Sequence, residues 1–278
     1  MKIEEHDTSI VYVCKNCETE FQGKFCNNCG QKSNIERLSF KSILDQFVYG
    51  LTKLDRGLLY TIYKLFKRPG QMIKNYLAGC RVVFSKPLPL LIILCGIYGI
   101  LMSVMNFSLG ESPTYALENE SEQIEELFTD KKLFEGVKIM INYIKGSTFF
   151  WAIIMLPFYA LCTKWIFRKQ NTLKYNYTEL FFVNIFLACQ RVIIDIVAIP
   201  YIWIVKKDTP SIFDNAIILI YLFLAVWCFK DLFSISWGKS IKKTILMFIS
   251  SFTIAIILLV LLVFLIIAIF LPEVFSKI

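Results

Sequence analysis

Apolar and polar residues alternate through the first 86 positions, and from residue 87 onward the apolar ones run together. An uncharged apolar run of 18 residues or more is what crossing a roughly 30 Å hydrocarbon layer requires. Several such runs occur, and five spans are read: Leu88 to Leu109, Thr148 to Phe167, Leu180 to Ile204, Ile212 to Phe229 and Thr244 to Leu271. The fourth is stopped at Phe229 because Lys230 and Asp231 would otherwise enter the bilayer. The fifth, at 1.5 Å per residue, is about 42 Å long and has to tilt or protrude. The predicted fold class is an all-α polytopic membrane bundle of about five transmembrane helices, with a bundle domain over 87–278.

Upstream, apolar residues at 40, 43, 44, 47, 48, 51, 54, 58, 62, 65 and 66 fall on one side of a helix from Phe40 to Phe66. Lys53, Arg56, Lys64 and Lys67 lie on the other side, and Ser39 stands where a cap belongs. Pro69 suits the first position of a second short helix through Leu77. Residues 35–86 are therefore read as amphipathic interfacial helices. Their apolar face has two destinations, the bilayer interface or the cytosolic ends of the spans. The loop 110–147 has helical spacing as well, with Ile124, Leu127, Phe128 and Phe134 against Glu122, Glu125, Glu126 and Asp130, and is read as an acidic external cover.

Composition agrees with a membrane protein: 56% of the 278 residues are hydrophobic and 19% charged, against about a quarter charged in soluble domains. The charge is unevenly placed. Residues 1–87 carry 14 basic and 8 acidic side chains, residues 110–147 carry 4 and 8. With five alternating spans, one side receives 22 Lys and Arg and the other 7. Cationic segments stay cytosolic during insertion, which places the N-terminus in the cytosol and the C-terminus outside. No apolar segment follows the start, so no cleavable signal is expected.

Nine cysteines divide into a cluster at Cys14, Cys17, Cys26 and Cys29 and five others scattered along the chain. The cluster reads C-x2-C-x8-C-x2-C. Two intervening residues let both thiolates of a pair face one ion, so four thiolates can close a tetrahedron. The spacer is read as a tight hairpin with Gly23 at its turn and Phe21 and Phe25 beside the metal. So small a module, set at 1–34, buries too little apolar area to fold alone, and structural zinc would supply the stability. Two disulfides are the alternative, suited to a secreted domain rather than to a reducing cytosol. The scattered cysteines sit mostly in apolar segments and are read as small hydrophobes.

The run CKNCETEFQGKFCNNCGQK, followed by RPGQMIKNYLAGCR and a proline-rich entry to the first span, resembles a family of bacterial polytopic membrane proteins with an N-terminal four-cysteine zinc ribbon, a domain of unknown function. The resemblance covers residues 14 to 90, about a quarter of the chain. Glu18 stands where the family commonly has glycine, and Cys80 where it has a basic residue. What the resemblance implies is a zinc-binding cytosolic head on a bundle in the bacterial cytoplasmic (inner) membrane. It carries no activity with it.

Within the third span, Asn184, Ala188, Arg191 and Asp195 share one helix face. A central Arg or Asp costs about 2.5–3.5 kcal/mol on the insertion scale, so this face should turn into the bundle. Arg191 and Asp195 lie one turn apart and can pair. The face is then either a site for a polar or ionic ligand or a structural pair that fixes packing. Cys95, Gly99 and Ser103 form a small-residue stripe suited to close helix contact.

These features support two functional readings. One is a non-enzymatic scaffold whose zinc head docks a protein partner, with assembly or regulation as its role. The other is a small permease or channel using Asn184, Arg191 and Asp195. The sole histidine is His6, and HExxH, GxSxG, Walker and GxGxxG patterns are lacking, so no enzyme is expected. Basic and aromatic residues form no compact stripe, which speaks against nucleic acid as a partner. The lipid bilayer is the expected environment, and a homo-oligomer is compatible with every feature.

Overall fold

A computed structural model describes residues 11–35, 37–40, 57–108, 148–205 and 211–270. The acidic loop 110–147 and most of the helix predicted from Phe40 lie outside the described residues. Two strands open the described chain, β1 (Val11–Val13) and β2 (Glu20–Gln22), paired antiparallel with Tyr12 opposite Phe21. Seven helices follow among the described residues: α1 (Leu58–Lys67), α2 (Pro69–Ala78), α3 (Pro87–Ser108), α4 (Thr148–Ile166), α5 (Tyr177–Val205), α6 (Ser211–Phe233) and α7 (Trp237–Phe270).

Helices α3 to α7 stand at the five apolar segments read from the sequence. Three carry stretches long and apolar enough to cross a membrane: Tyr177–Tyr201, Ala216–Phe233 and Trp237–Leu262. In α3 and α4 the described apolar stretches are shorter, Pro87–Met102 and Ile153–Ile166. The protein is thus mainly helical with membrane-like helices.

Two helix ends differ from the sequence reading. Helix α6 continues one turn past Phe229, because Lys230 and Asp231 pair with each other at 3.2 Å and Lys230 lies 5.0 Å from the Trp237 ring centre. Their charges are answered laterally and do not interrupt the helix. It stops before Ser234, whose backbone turns left-handed (φ 52°). Helix α7 starts at Trp237, ahead of Thr244, and Lys243 in its second turn donates to the Ile166 carbonyl at 2.5 Å, closing the free C-terminal end of α4.

The core gathers around α5. Phe182 and Phe186 are fully buried, and Phe186 meets Tyr76 of α2 edge-on at 5.2 Å. Phe167, Phe229 and Phe233 close the same end, with Phe167 and Phe233 stacked at 4.6 Å. Among the described side chains of α3, Leu90, Leu91, Leu94 and Cys95, in its first half, are buried there. Among the described residues Gly99 has no close helix contact: a Cβ there would meet nothing within 4 Å, and Ile97, Ile100 and Val104 are exposed.

The segment 57–86 has its apolar face on the bundle. Leu65, Met72, Ile73 and Tyr76 are buried, and the Gln190 side-chain amide donates to the Leu65 carbonyl at 2.7 Å. Gln190 lies 13 residues into α5, about 20 Å from its start. The α1–α2 pair is therefore a wedge driven between α5 and α6, whereas Leu59, Tyr60 and Tyr63 stay outside. Gly70 makes the wedge fit, since a Cβ there would lie 2.4 Å from the Asp231 Cβ and 2.7 Å from the Cys228 carbonyl oxygen.

One end of the molecule collects the basic connections. Arg37 bonds Glu179 and the Lys174 carbonyl, and Lys74 donates to Ser234. Glu179 also closes a reciprocal cap with Asn176 at the start of α5, each backbone N–H bonding the other's side chain at 2.7–2.8 Å.

Candidate metal centre and the polar face of the bundle

The four clustered cysteines come together as their spacing predicts. Their sulfurs all lie within 4.8 Å of one another, Cys14 to Cys29 at 3.5 Å and Cys17 to Cys26 at 3.6 Å. Cys14 and Cys26 are buried and the other two are half-buried. Four sulfurs this close can all reach one ion between them, so the donor set fits a metal.

A repeat underlies this geometry. Each cysteine pair forms the same loop: Glu18 N–H bonds the Cys14 carbonyl at 2.9 Å and Cys14 N–H the Thr19 carbonyl at 3.0 Å, while Gly30 N–H bonds the Cys26 carbonyl at 2.8 Å and Cys26 N–H the Gln31 carbonyl at 2.7 Å. The residue after each pair takes a left-handed backbone, φ 61° at Glu18 and 74° at Gly30. Glycine does this freely; a residue with a Cβ is strained by it. The hairpin differs from the one expected. Its turn is the first cysteine pair, between β1 and β2, and the spacer supplies β2 and then the Gly23 bend (φ 95°) into the second pair. Phe21 packs beside the sulfurs as predicted, but Phe25 is 55% exposed, because it follows the Gly23 bend and alternates with its buried neighbour Cys26.

The thiols are electrostatically unequal. Hydrogen bonding to the Thr19 side chain and backbone lowers the Cys17 pKa to about 6, whereas burial pushes Cys29 up to about 12. An ion shared by all four must displace the proton from Cys29, and its charge offsets that cost.

The ribbon is fixed to the wedge. Gln31 donates to the Gly79 carbonyl at 3.2 Å, the Cys80 thiol donates to the Lys15 carbonyl at 2.6 Å, and the Val83 N–H reaches Asn16 at 3.4 Å. Cys80 is thus a polar strap between helix end and ribbon, unlike the buried Cys95, Cys162, Cys189 and Cys228. Gly79 has φ 118°, and a Cβ there would crowd the Lys15 side chain at 3.1 Å.

On α5 the predicted polar face does turn into the bundle, with different pairing. Asn184 is buried, donating to the Leu180 carbonyl at 2.8 Å and to the Thr163 hydroxyl at 3.4 Å. Asp195 accepts a hydrogen bond from the Tyr221 hydroxyl of α6, and the Arg191 guanidinium lies over the same Tyr221 ring at 5.3 Å. The expected Arg191–Asp195 ion pair is not among the described ion pairs, which are Arg37–Glu179 and Lys230–Asp231. Tyr221 takes up both charged groups instead. Sequence reasoning misses Tyr221 and Gln190. A lone tyrosine in an apolar run carries no sequence signal, but a glutamine beside an intramembrane arginine does.

Asn184, Gln190 and Arg191 line a cavity of about 510 Å³ between α4, α5, α6 and α7. Apolar and aromatic side chains, among them Leu156, Tyr159, Phe248 and Phe252, make up most of its wall.

Residues 55–99 match a family described as Protein of unknown function (DUF3667). The match spans the wedge and the first half of α3, and lies apart from the clustered cysteines. No curated protein and no solved structure matches the chain.

Proposed function

We propose that the protein is a non-enzymatic scaffold of the bacterial cytoplasmic membrane, in which a zinc-stabilised cytosolic head docks a protein partner and the helical bundle anchors it. One observation carries the reading. Val11 and Val13, on one face of β1, are 54% and 63% exposed on a ribbon that is itself strapped to the bundle. An apolar strand face held in place by a metal loop and by Gln31, Cys80 and Asn16 suits recognition of another polypeptide better than it suits free solvent. Zinc is favoured over other ions by the four-thiolate donor set, and Zn–S bonds of about 2.3 Å give tetrahedral edges near the sulfur separations found. The clustering of the basic connections at the ribbon's end supports a cytosolic head and five alternating spans.

Mild-detergent purification with crosslinking mass spectrometry tests this. A stoichiometric partner is expected from native membranes, lost on Val11→Glu with Val13→Lys and on Cys14→Ser. A partner retained by the Val11/Val13 variant would overturn the docking face.

A small permease or channel is the second reading, favoured by the cavity at Asn184 and Arg191 and tested by solute flux into vesicles holding the purified protein alone.

A further inference from the structure

We propose that the cavity between α4, α5, α6 and α7 binds a single-chain amphiphile with a carboxyl headgroup, of the long-chain fatty acid class. Its volume of about 510 Å³ lies within the range of small-molecule sites. The composition of the wall defines the ligand. Leu156, Leu187, Leu222, Phe248 and Phe252 offer only hydrocarbon, so most of the ligand is hydrocarbon too.

The polar end is set by two buried atoms. Arg191 Nε, a donor, and Gln190 Oε1, an acceptor, have no hydrogen-bond partner among the described residues. Gln190 is 1% exposed, and its amide nitrogen is already committed to Leu65. Orphaned buried polar atoms are costly, and a ligand that accepts from Arg191 removes that cost there. A carboxylate suits the first of these: its oxygens accept from the Arg191 guanidinium, and its charge balances that of the cation. Asp195 does not fill this role, because it is bonded to Tyr221.

Access is lateral. Ile218, Ile249 and Phe252 line the cavity and are 58%, 59% and 48% exposed, so its rim is apolar and faces where lipid chains would lie. Arg191 lies 14 residues into α5, about 21 Å from its start, too deep for the phosphate of a two-chain lipid that keeps its headgroup at the interface. The proposal is independent of the docking reading and shares its cavity with the permease reading, whose failure would show as absent solute flux while palmitate binding persists.

The test uses the full chain in lipid nanodiscs with isotope-labelled palmitate, and methyl palmitate as the probe that keeps the chain but loses the charge. One palmitate per chain is expected, with the ester binding at least about 10-fold more weakly, since hydrogen bonds to a charged group carry that much discrimination. Arg191→Met should remove most of the difference by weakening palmitate far more than the ester, and Arg191→Lys should keep part of it. Equal uptake of acid and ester by the unaltered protein would overturn the proposal without recourse to any variant. So would palmitate binding unchanged by a folded Arg191→Met protein.

Discussion

The ribbon and the polar face of α5 both gather chemistry-bearing residues, by opposite means. In the ribbon all four clustered cysteines lie within 16 consecutive residues and each pair is fixed by its own loop bonds, so local spacing sets the geometry. On α5, Asn184, Gln190, Arg191 and Asp195 share a helix, but each finds its partner on another element: Thr163 on α4, Leu65 on α1, Tyr221 on α6. A site built locally fails alone, while one built from several helices fails together with the packing around it.

Metal removal should separate the two regions most sharply. Small zinc modules gain about 10–16 kcal/mol of apparent binding energy, far more than a ribbon this size can replace. Chelation, or Cys14→Ser, is expected to open residues 11–35 to protease while the helical circular dichroism of the bundle persists. Simultaneous loss of both signals would show that the regions are one folding unit.

Next in size is the wedge. Gly70→Ala places a methyl group 2.7 Å from the Cys228 carbonyl, so α2 and α6 must part. The expected loss is about 3 kcal/mol, at the upper end for overpacking, read as a lowered unfolding midpoint in detergent with zinc content unchanged. Gln190→Leu should cost less, about 1–2 kcal/mol, because it leaves the buried Leu65 carbonyl without its donor. The same measurement checks it, and a neutral result would mean that water or another group reaches Leu65.

The smallest effect sharpens the comparison inside the ribbon. Glu18→Gly makes the first cysteine loop resemble the second. Relief of left-handed strain of about 1–2 kcal/mol, less the greater chain entropy of glycine, leaves a gain of about 0.5–1 kcal/mol. A competition titration with a chelator should show zinc held several-fold more tightly.

Much of the molecule is legible in its residue order. Cysteine spacing names the clustered thiols, and apolar runs locate α3 to α7 within a few residues at most ends. What escapes are features that depend on a neighbour. Helix α6 outlasts its apolar run because Lys230 meets Asp231 and Trp237 rather than lipid alone. Phe25 points away from the sulfurs because the hairpin turns at the first cysteine pair and not in the spacer. Among the described residues Gly99 lacks the helix contact that a small-residue stripe suggests, and the buried side chains described on α3 lie before it.

Residue order alone specifies an apolar helical protein with four clustered cysteines at 14–29, because hydrocarbon runs and short-range cysteine spacing act through local chain geometry. Only the tertiary structure decided that the segment 57–86 wedges against α5 and α6, that Tyr221 takes up both Arg191 and Asp195, and that a cavity remains beside Gln190. Those outcomes depend on which helices face each other and at what depth, and a helical face read alone specifies neither.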